Sequence, residues 1–271
     1  MNKTTERMRD SRELDLKPLP SRAVAALIVL VLACSWATPS LSQPPDIPKI
    51  SSFAPAKDLI QQVDFYLVRL DESLADPADF DLAKQSRTLK DANTLSALAL
   101  VLAVHDEEHP IKASMPAMLK SSQALAEAGD DIERAGASLA GIKRARAAMA
   151  AGGETVKWEK AASLSALMKA VPLVHTGLKR GVEPNRLARQ AVQSAGQAAA
   201  LAAIAQAAML DAELAKSPAD AERWAQFCAQ MRDAAGEVNS AVHAQDQARV
   251  VTGMKRLSQS CDACHARFRG E

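Results

Sequence analysis

Residues 250–268 read VVTGMKRLSQSCDACHARF, and the spacing of their apolar side chains predicts an amphipathic helix. Apolar and sulfur-bearing residues recur every three or four positions, which places them on one helical face. The members of this face are Val250, Met254, Leu257, Cys261, Cys264 and Phe268. A helix with one such face packs against other helices, so this stretch indicates a helical bundle.

Within this helix, Cys261, Cys264 and His265 form the pattern Cys-x-x-Cys-His, which is the attachment signal for a c-type haem. Each thiol can add to one vinyl group of the porphyrin, and the adjacent imidazole can bind the iron as its proximal ligand. Residues three positions apart share a helical face, so both thiols can reach the same porphyrin. We therefore predict one covalently bound haem c, with His265 as an iron ligand.

Other uses of the cysteines are less well supported by the sequence. A Cys261–Cys264 disulfide or redox pair would be expected in a βαβ context, which the chain lacks. A zinc site would need a third and a fourth ligand, and the sequence shows no second cysteine knuckle. Cys228 has helical spacing from Trp224 and Met231 and is predicted to be a buried core thiol.

The N-terminal region predicts export. Residues 1–22 are polar and basic, and residues 23–33 are continuously apolar. Ser40 and Ser42 then provide small residues at the spacing that signal peptidase requires. We predict a signal peptide at 1–42 and a periplasmic or otherwise extracytoplasmic location. The apolar run is short for a transmembrane helix, although an uncleaved anchor remains an alternative. A lipoprotein modified at Cys34 is a further alternative.

The remaining sequence predicts an all-α fold of two tandem antiparallel four-helix bundles. The 271 residues carry a net charge of +1, 3% aromatic side chains and no basic run, so nucleic acid is not an expected partner. We predict a linker at 43–55, a haem-less bundle at 56–151 and a haem-binding bundle at 155–271, divided at Gly152 and Gly153. The eight predicted helices span 56–74, 79–106, 110–128, 130–150, 156–179, 184–215, 217–242 and 246–269.

The two predicted bundles look like a diverged repeat. Residues 82–85 and 187–190 open their second helices with similar sequences, and the register then holds to Asp106 and Asp211. No cysteine occurs from 41 to 227, so the first bundle cannot bind a second c-type haem. We expect it to be a structural or docking domain.

The two halves also differ in charge. Residues 43–154 hold 12 basic and 17 acidic side chains, net −5, whereas residues 155–271 hold 15 and 11, net +4. Such asymmetry could orient a redox partner protein, although most charge on helices is a solvated face.

The C-terminal pattern Cys-x-x-Cys-His-x-x-Phe-Arg on the last helix of such a bundle resembles the cytochrome c′ and cytochrome c-556 family of class II c-type cytochromes. The resemblance covers roughly residues 156–271, and its matching residues are Cys261, Cys264, His265, Phe268 and Arg269. It implies that His265 is the axial ligand and that Arg269 lies near the proximal side of the haem. It also allows a homodimer.

The same resemblance implies a distal residue on the first helix of the bundle, where Met168 lies in a matching Met-Lys-Ala segment. Met168 is predicted to be the sixth iron ligand, with a cap over an open iron or a plain core methionine as alternatives. His175 is a competing ligand, but it lies about 10 Å further along the helix, so both cannot reach one iron. The other histidines, His105, His109 and His243, are expected at the surface.

Two departures from the family pattern affect the distal side. Leu164 occupies the position where the family often has an arginine, so the haem propionates would need another partner, such as Lys160 or Lys169. Pro172 lies inside the predicted helix and should kink it or break its hydrogen bonding.

Three functions are compatible with these features. Electron transfer by a six-coordinate mono-haem protein is favoured, with no enzymatic activity expected. A five-coordinate iron that binds NO or CO is the first alternative. A non-redox interaction protein with a structural haem is the second.

Overall fold

The computed structural model describes residues 47–148 and 155–269, and within these ranges it contains helices and no β-strand. The predicted all-α class is therefore confirmed. The α-helices are α1 (Ala56–Ser73), α2 (Pro77–Ala83), α3 (Leu89–Ala103), α4 (Met115–Ala126), α5 (Ile132–Ala147), α6 (Leu164–Gly181), α7 (Ala191–Ala208), α8 (Pro218–His243) and α9 (Gln247–Phe268). The predicted signal peptide at 1–42, including Cys34, and the predicted boundary at Gly152 and Gly153 lie outside the described residues.

Most predicted helices are present, with local differences in extent. The second predicted helix is built from α2, a π-helical turn at Lys84–Thr88 and α3. The fifth starts at Leu164 rather than at 156, because the backbone N–H of Ser163 donates to the side chain of Asn93 instead of entering a helix. The sixth starts at Ala191, since residues 184–190 form turns.

Two helices are enclosed on all sides. In α3 every residue from Asp91 to Leu102 is buried, and in α7 every residue from Ser194 to Ala208 is buried. A helix that is apolar all round is a core helix. Helix α3 packs against α1, α4, α6 and α7, and α7 packs against α1, α3, α6 and α8. One continuous hydrophobic core therefore runs through both halves of the described chain.

Residues 50–54, within the predicted linker, also belong to this core. Ile50, Phe53 and Ala54 are buried. The backbone of Phe53 lies directly against Gly236 of α8, and the guanidinium of Arg232 lies 5.1 Å from the centroid of the Phe53 ring. The segment that precedes α1 is thus packed against a helix of the other half.

Buried polar side chains add specific links between elements. Asp58 of α1 accepts hydrogen bonds from Asn239 Nδ2 at 2.8 Å and from His243 Nε2 at 2.7 Å, both on α8. The expectation that His105 lies at the surface is wrong, because this side chain is 1% exposed. Its Nδ1 accepts from the backbone N–H of Glu107, which leaves Nε2 to donate to the carbonyl oxygen of Ala54. None of the described helices is long and apolar enough to cross a membrane.

The contact between Phe53 and Gly236 gives a stability prediction. A Cβ at Gly236 would lie 2.8 Å from Phe53 Cβ and 2.9 Å from its Cα, so the backbone of residues 50–54 would have to move. We expect Gly236→Ala to lower the free energy of unfolding by about 1–3 kcal/mol, measured by chemical denaturation. Gly136→Ala is the matched control: its Cβ would meet nothing within 4 Å, so it should raise stability by up to about 1 kcal/mol. Equal effects of the two substitutions would contradict this packing.

Candidate haem site

An apolar cleft lies between α6 and α9, with α7 and α8 behind it. Its atom-free volume is about 510 Å³, part of which is open solvent. Helix α9 packs mainly on α8, and α6 packs mainly on α3 and α7. The cleft is therefore the space that remains between two helices attached to different neighbours.

Helix α9 brings the motif residues to this cleft. Asp246 is the N-cap of this helix, because its side chain accepts a hydrogen bond from Arg249 N at 3.0 Å. The predicted apolar face points inward, since Leu257 is fully buried. Cys261 and Cys264 lie further along the same face, where it leaves the core for the cleft, and both are half-buried free thiols.

Burial controls the chemistry of these thiols. Loss of solvent around Cys264, reinforced by the charge of Cys261, raises the pKa of the Cys264 thiol to about 11. Burial also raises the pKa of Cys261 and of Cys228, which lines the cleft from α8. All three sulfurs therefore carry protons at neutral pH. His265 lines the cleft as well, with an exposed side chain.

The opposite side of the cleft is formed by α6, which places Met168 there. Met168 is half-buried and packs against both the main core and a small apolar cluster that contains Leu164. Cys264 packs against the same small cluster. Pro172 also lines the cleft, and α6 remains helical through it to Gly181. The structure thus brings Met168 and the motif residues to one cavity.

His175 is not part of the cleft lining. Its side chain is half-buried, its Nε2 is buried without a hydrogen-bond partner, and burial lowers the pKa of the imidazole. Of the two candidate distal residues, only Met168 faces the cavity that the cysteines line.

Helix α8 supplies an aromatic wall that the sequence analysis did not assign to the site. Trp224 Nε1–H donates to the carbonyl oxygen of Ala208 at 2.9 Å, and the Phe268 ring packs edge-on against Trp224 with centroids 5.3 Å apart. The rings of Phe227 and Phe268 also lie edge-on, with their centroids 6.2 Å apart. Met231 adds a second thioether to the lining of the cleft. The helical spacing of Trp224, Cys228 and Met231 was the available signal, but it does not say what this face contacts.

The basic residues expected near the haem, Lys160 and Lys169 for the propionates and Arg269 on the proximal side, are placed differently from one another. Lys160 is already paired, with its Nζ 2.6 Å from Asp211 Oδ2 and 3.4 Å from Glu213 Oε2. Lys169 is exposed on α6. Arg269 is exposed at the end of α9, where its backbone N–H donates to the carbonyl oxygen of His265 at 3.0 Å.

Across the described ranges, no group of three or more His, Cys, Asp or Glu side chains is arranged to hold a metal ion. No family model matches the chain, and neither a curated protein nor a solved structure is detectably similar to it.

The raised thiol pKa values predict slow alkylation of the haem-free folded protein. Alkylating reagents attack the thiolate, and its fraction at Cys264 at pH 7 should be roughly 100-fold below that of an ordinary thiol. We expect the rate at Cys264 to rise with pH up to about 11, with Cys228 slower still because it is more deeply buried. Timed iodoacetamide labelling with peptide mass spectrometry measures this, and the denaturant-unfolded protein is the control. Equal rates in folded and unfolded protein at pH 7 would contradict it.

Proposed function

We propose that the protein is an exported mono-haem c-type cytochrome of the cytochrome c′ and c-556 kind, which carries electrons rather than catalysing a reaction. The observation that supports this best is that Cys261, Cys264, His265 and Met168 line one apolar cleft. A bound haem would supply a one-electron iron couple. The predicted signal peptide supports export, because c-type haem attachment and the signal point to the same extracytoplasmic setting.

The residues present fit a porphyrin. Cys261 and Cys264 are unpaired, share a helical face and open on the same cavity, as two thioether bonds to one ring would require. Trp224 and Phe227 offer aromatic surface that suits a flat apolar ring. His265 is the nitrogen donor beside them.

Electron transfer is favoured by the position of Met168. It lies on α6, across the cleft from the helix that carries His265, so a planar group between the two helices would meet a nitrogen ligand and a sulfur ligand. Axial ligand identity and burial are the main determinants of a haem potential. The exposed side of the cleft at His265 would let a redox partner protein approach.

The proposed architecture is a duplicated four-helix bundle in which only the second copy holds haem. The two aspartates at matching repeat positions support it. Asp106 accepts a hydrogen bond from the backbone N–H of Ser51, just before α1, at 2.7 Å. Asp211 accepts one from the backbone N–H of Leu164, the first residue of α6, at 3.3 Å. Each aspartate thus ties the end of its long second helix to the start of its own half.

Gas binding is the second candidate, and small residues favour it. Ala205 and Ala208 of α7 line the back of the cleft, and Val171 lines it from α6, so an uncharged diatomic such as NO or CO would find an apolar space there. This function requires that Met168 leaves the iron open.

The absorption spectrum of the haem-loaded protein, oxidised and reduced, with and without CO, tests the proposal. We expect a low-spin spectrum with a methionine–iron charge-transfer band and no response to CO. Met168→Ala should remove that band and allow CO to bind, whereas Met231→Leu, in the same cleft, should leave both unchanged. A high-spin ferrous protein that binds CO would favour gas binding instead. Absence of covalent haem would overturn the proposal.

The attachment chemistry can be tested residue by residue. Cys261→Ser and Cys264→Ser should each lose one thioether bond, which shifts the pyridine haemochrome spectrum towards that of a haem with one free vinyl group. Cys228→Ser is the matched control, because Cys228 lines the same cleft but lies outside the motif. It should keep both bonds. A haemochrome shift in Cys228→Ser and none in Cys261→Ser would contradict the assignment.

A further inference from the structure

The start of α6 is held by side chains from both halves of the chain. The first turn of a helix leaves backbone N–H groups without helical partners. Here Ser163 N donates to Asn93 Oδ1 at 2.7 Å, and Leu164 N donates to Asp211 Oδ2 at 3.3 Å. Ala166 N donates to Ser163 Oγ at the longer distance of 3.5 Å. The shortest of these three bonds comes from Asn93, in the half that carries no haem motif.

Asn93 is fixed at both ends of its amide group. Its side chain is buried within α3, and Nδ2 donates to the carbonyl oxygen of Leu89 at 2.8 Å. This bond orients Oδ1 towards Ser163. Gln123 of α4 adds a second link, because its Nε2 donates to the carbonyl oxygen of Ala161 at 3.1 Å. The haem-less half therefore binds the backbone immediately before α6 at two points.

Met168 lies close to this anchored end. It is five residues beyond Ser163, which corresponds to a rise of about 7.5 Å along the helix. It packs with Leu164, the first residue of α6, in the small cluster beside the cleft. A change in where α6 starts, or in how firmly its first turn is held, would therefore move Met168 relative to Cys264 on the other side.

We propose that Asn93 is a positioning residue for Met168, and that the haem-less half sets the distal side of the cleft through it. This inference rests on the proposed function. It gives the first half a specific role in the site, in place of a general structural or docking role. Asp211 supplies the corresponding support from within the second half, through a longer bond.

The test compares two buried asparagines that are matched in type and burial. Asn93→Ala removes the acceptor for Ser163 N. Asn239→Ala removes the bond from Asn239 Nδ2 to Asp58 of the first half and the bond to the carbonyl oxygen of Ala195 in the second half. Neither bond touches α6. Both substitutions empty a buried amide site, so a general loss of stability should appear in both. Asn93→Asp keeps an oxygen acceptor for Ser163 N but loses the donor to the carbonyl oxygen of Leu89, so it serves as a partial rescue variant.

In the haem-free protein we expect amide hydrogen exchange at residues 163–166 to be roughly tenfold faster in Asn93→Ala, the effect of losing one good hydrogen bond. Oxidation of the Met168 thioether by dilute peroxide should accelerate in the same variant. Asn239→Ala should change neither, and Asn93→Asp should restore slow exchange in part, because it keeps the acceptor for Ser163 N and loses the bond to Leu89. If amide exchange at residues 163–166 and oxidation of Met168 are both unchanged in Asn93→Ala, the inference is overturned, whether or not the protein binds haem.

In the haem-loaded protein we expect Asn93→Ala to weaken the methionine–iron charge-transfer band and to raise CO affinity roughly tenfold, with Asn239→Ala like the wild type. A loaded Asn93→Ala protein with the wild-type band and CO response would overturn the inference and leave the proposed function intact. A wild-type protein that takes up no covalent haem would overturn the proposed function itself. The exchange and oxidation measurements would still decide whether Asn93 positions Met168.

If Asn93→Ala does not fold, Asn93→Asp is the variant to test, because it keeps an acceptor for Ser163 N. Loss of the methionine–iron band in Asn93→Asp, together with slow exchange at residues 163–166, would also contradict the inference.

Discussion

The enclosure of α3 and α7 is the constraint on which the rest of the fold depends. The residues of α3 from Asp91 to Leu102 and of α7 from Ser194 to Ala208 are all buried, so each helix has neighbours all round. Alanine side chains along α7 let those neighbours approach closely, and each buried methyl adds up to about 0.8 kcal/mol of hydrophobic stabilisation. The neighbours come from both halves: α1 and α3 cover α7, while α6 and α7 cover α3. Each half thus completes the core of the other.

This arrangement leaves α9 at the periphery, and the cleft follows from that. Helix α9 packs mainly on α8, while α6 is occupied by α3 and α7. The cleft is closed behind by the last turn of α7, where the carbonyl oxygen of Ala208 accepts from Trp224 Nε1–H at 2.9 Å and from the backbone N–H of Asp211 at 3.1 Å. The same indole packs edge-on against the ring of Phe268 of α9. One tryptophan therefore fixes the back of the cleft and the end of the motif helix together.

Periodicity was sufficient to predict the elements that are governed by a single apolar face. Helix α8 begins at Pro218 behind the N-cap Ser217, and α9 turns the face of Leu257 inward. Periodicity was not sufficient where tertiary hydrogen bonds replace helical ones, as at Ser163, whose N–H is taken by Asn93. It also missed His105, because a histidine near a helix end is buried only when specific partners exist, and spacing does not reveal them. Helical spacing identified the face of α8 that carries Trp224, but it did not reveal that this face lies beside the Cys-x-x-Cys-His motif.

Two thioethers line the cleft, and helix packing distinguishes their roles. Met231 is on α8, which packs directly against the motif helix, so Met231 and Cys264 belong to adjoining walls of the same side. Met168 is on α6, which is separated from α9 by the cleft itself. In the proposed cytochrome, Cys261 and Cys264 would hold the haem, and Met168 on α6, across the cleft, would offer the second iron ligand. In the same proposal, Asn93, in the half without the haem motif, would position that sulfur through its hydrogen bond from Ser163.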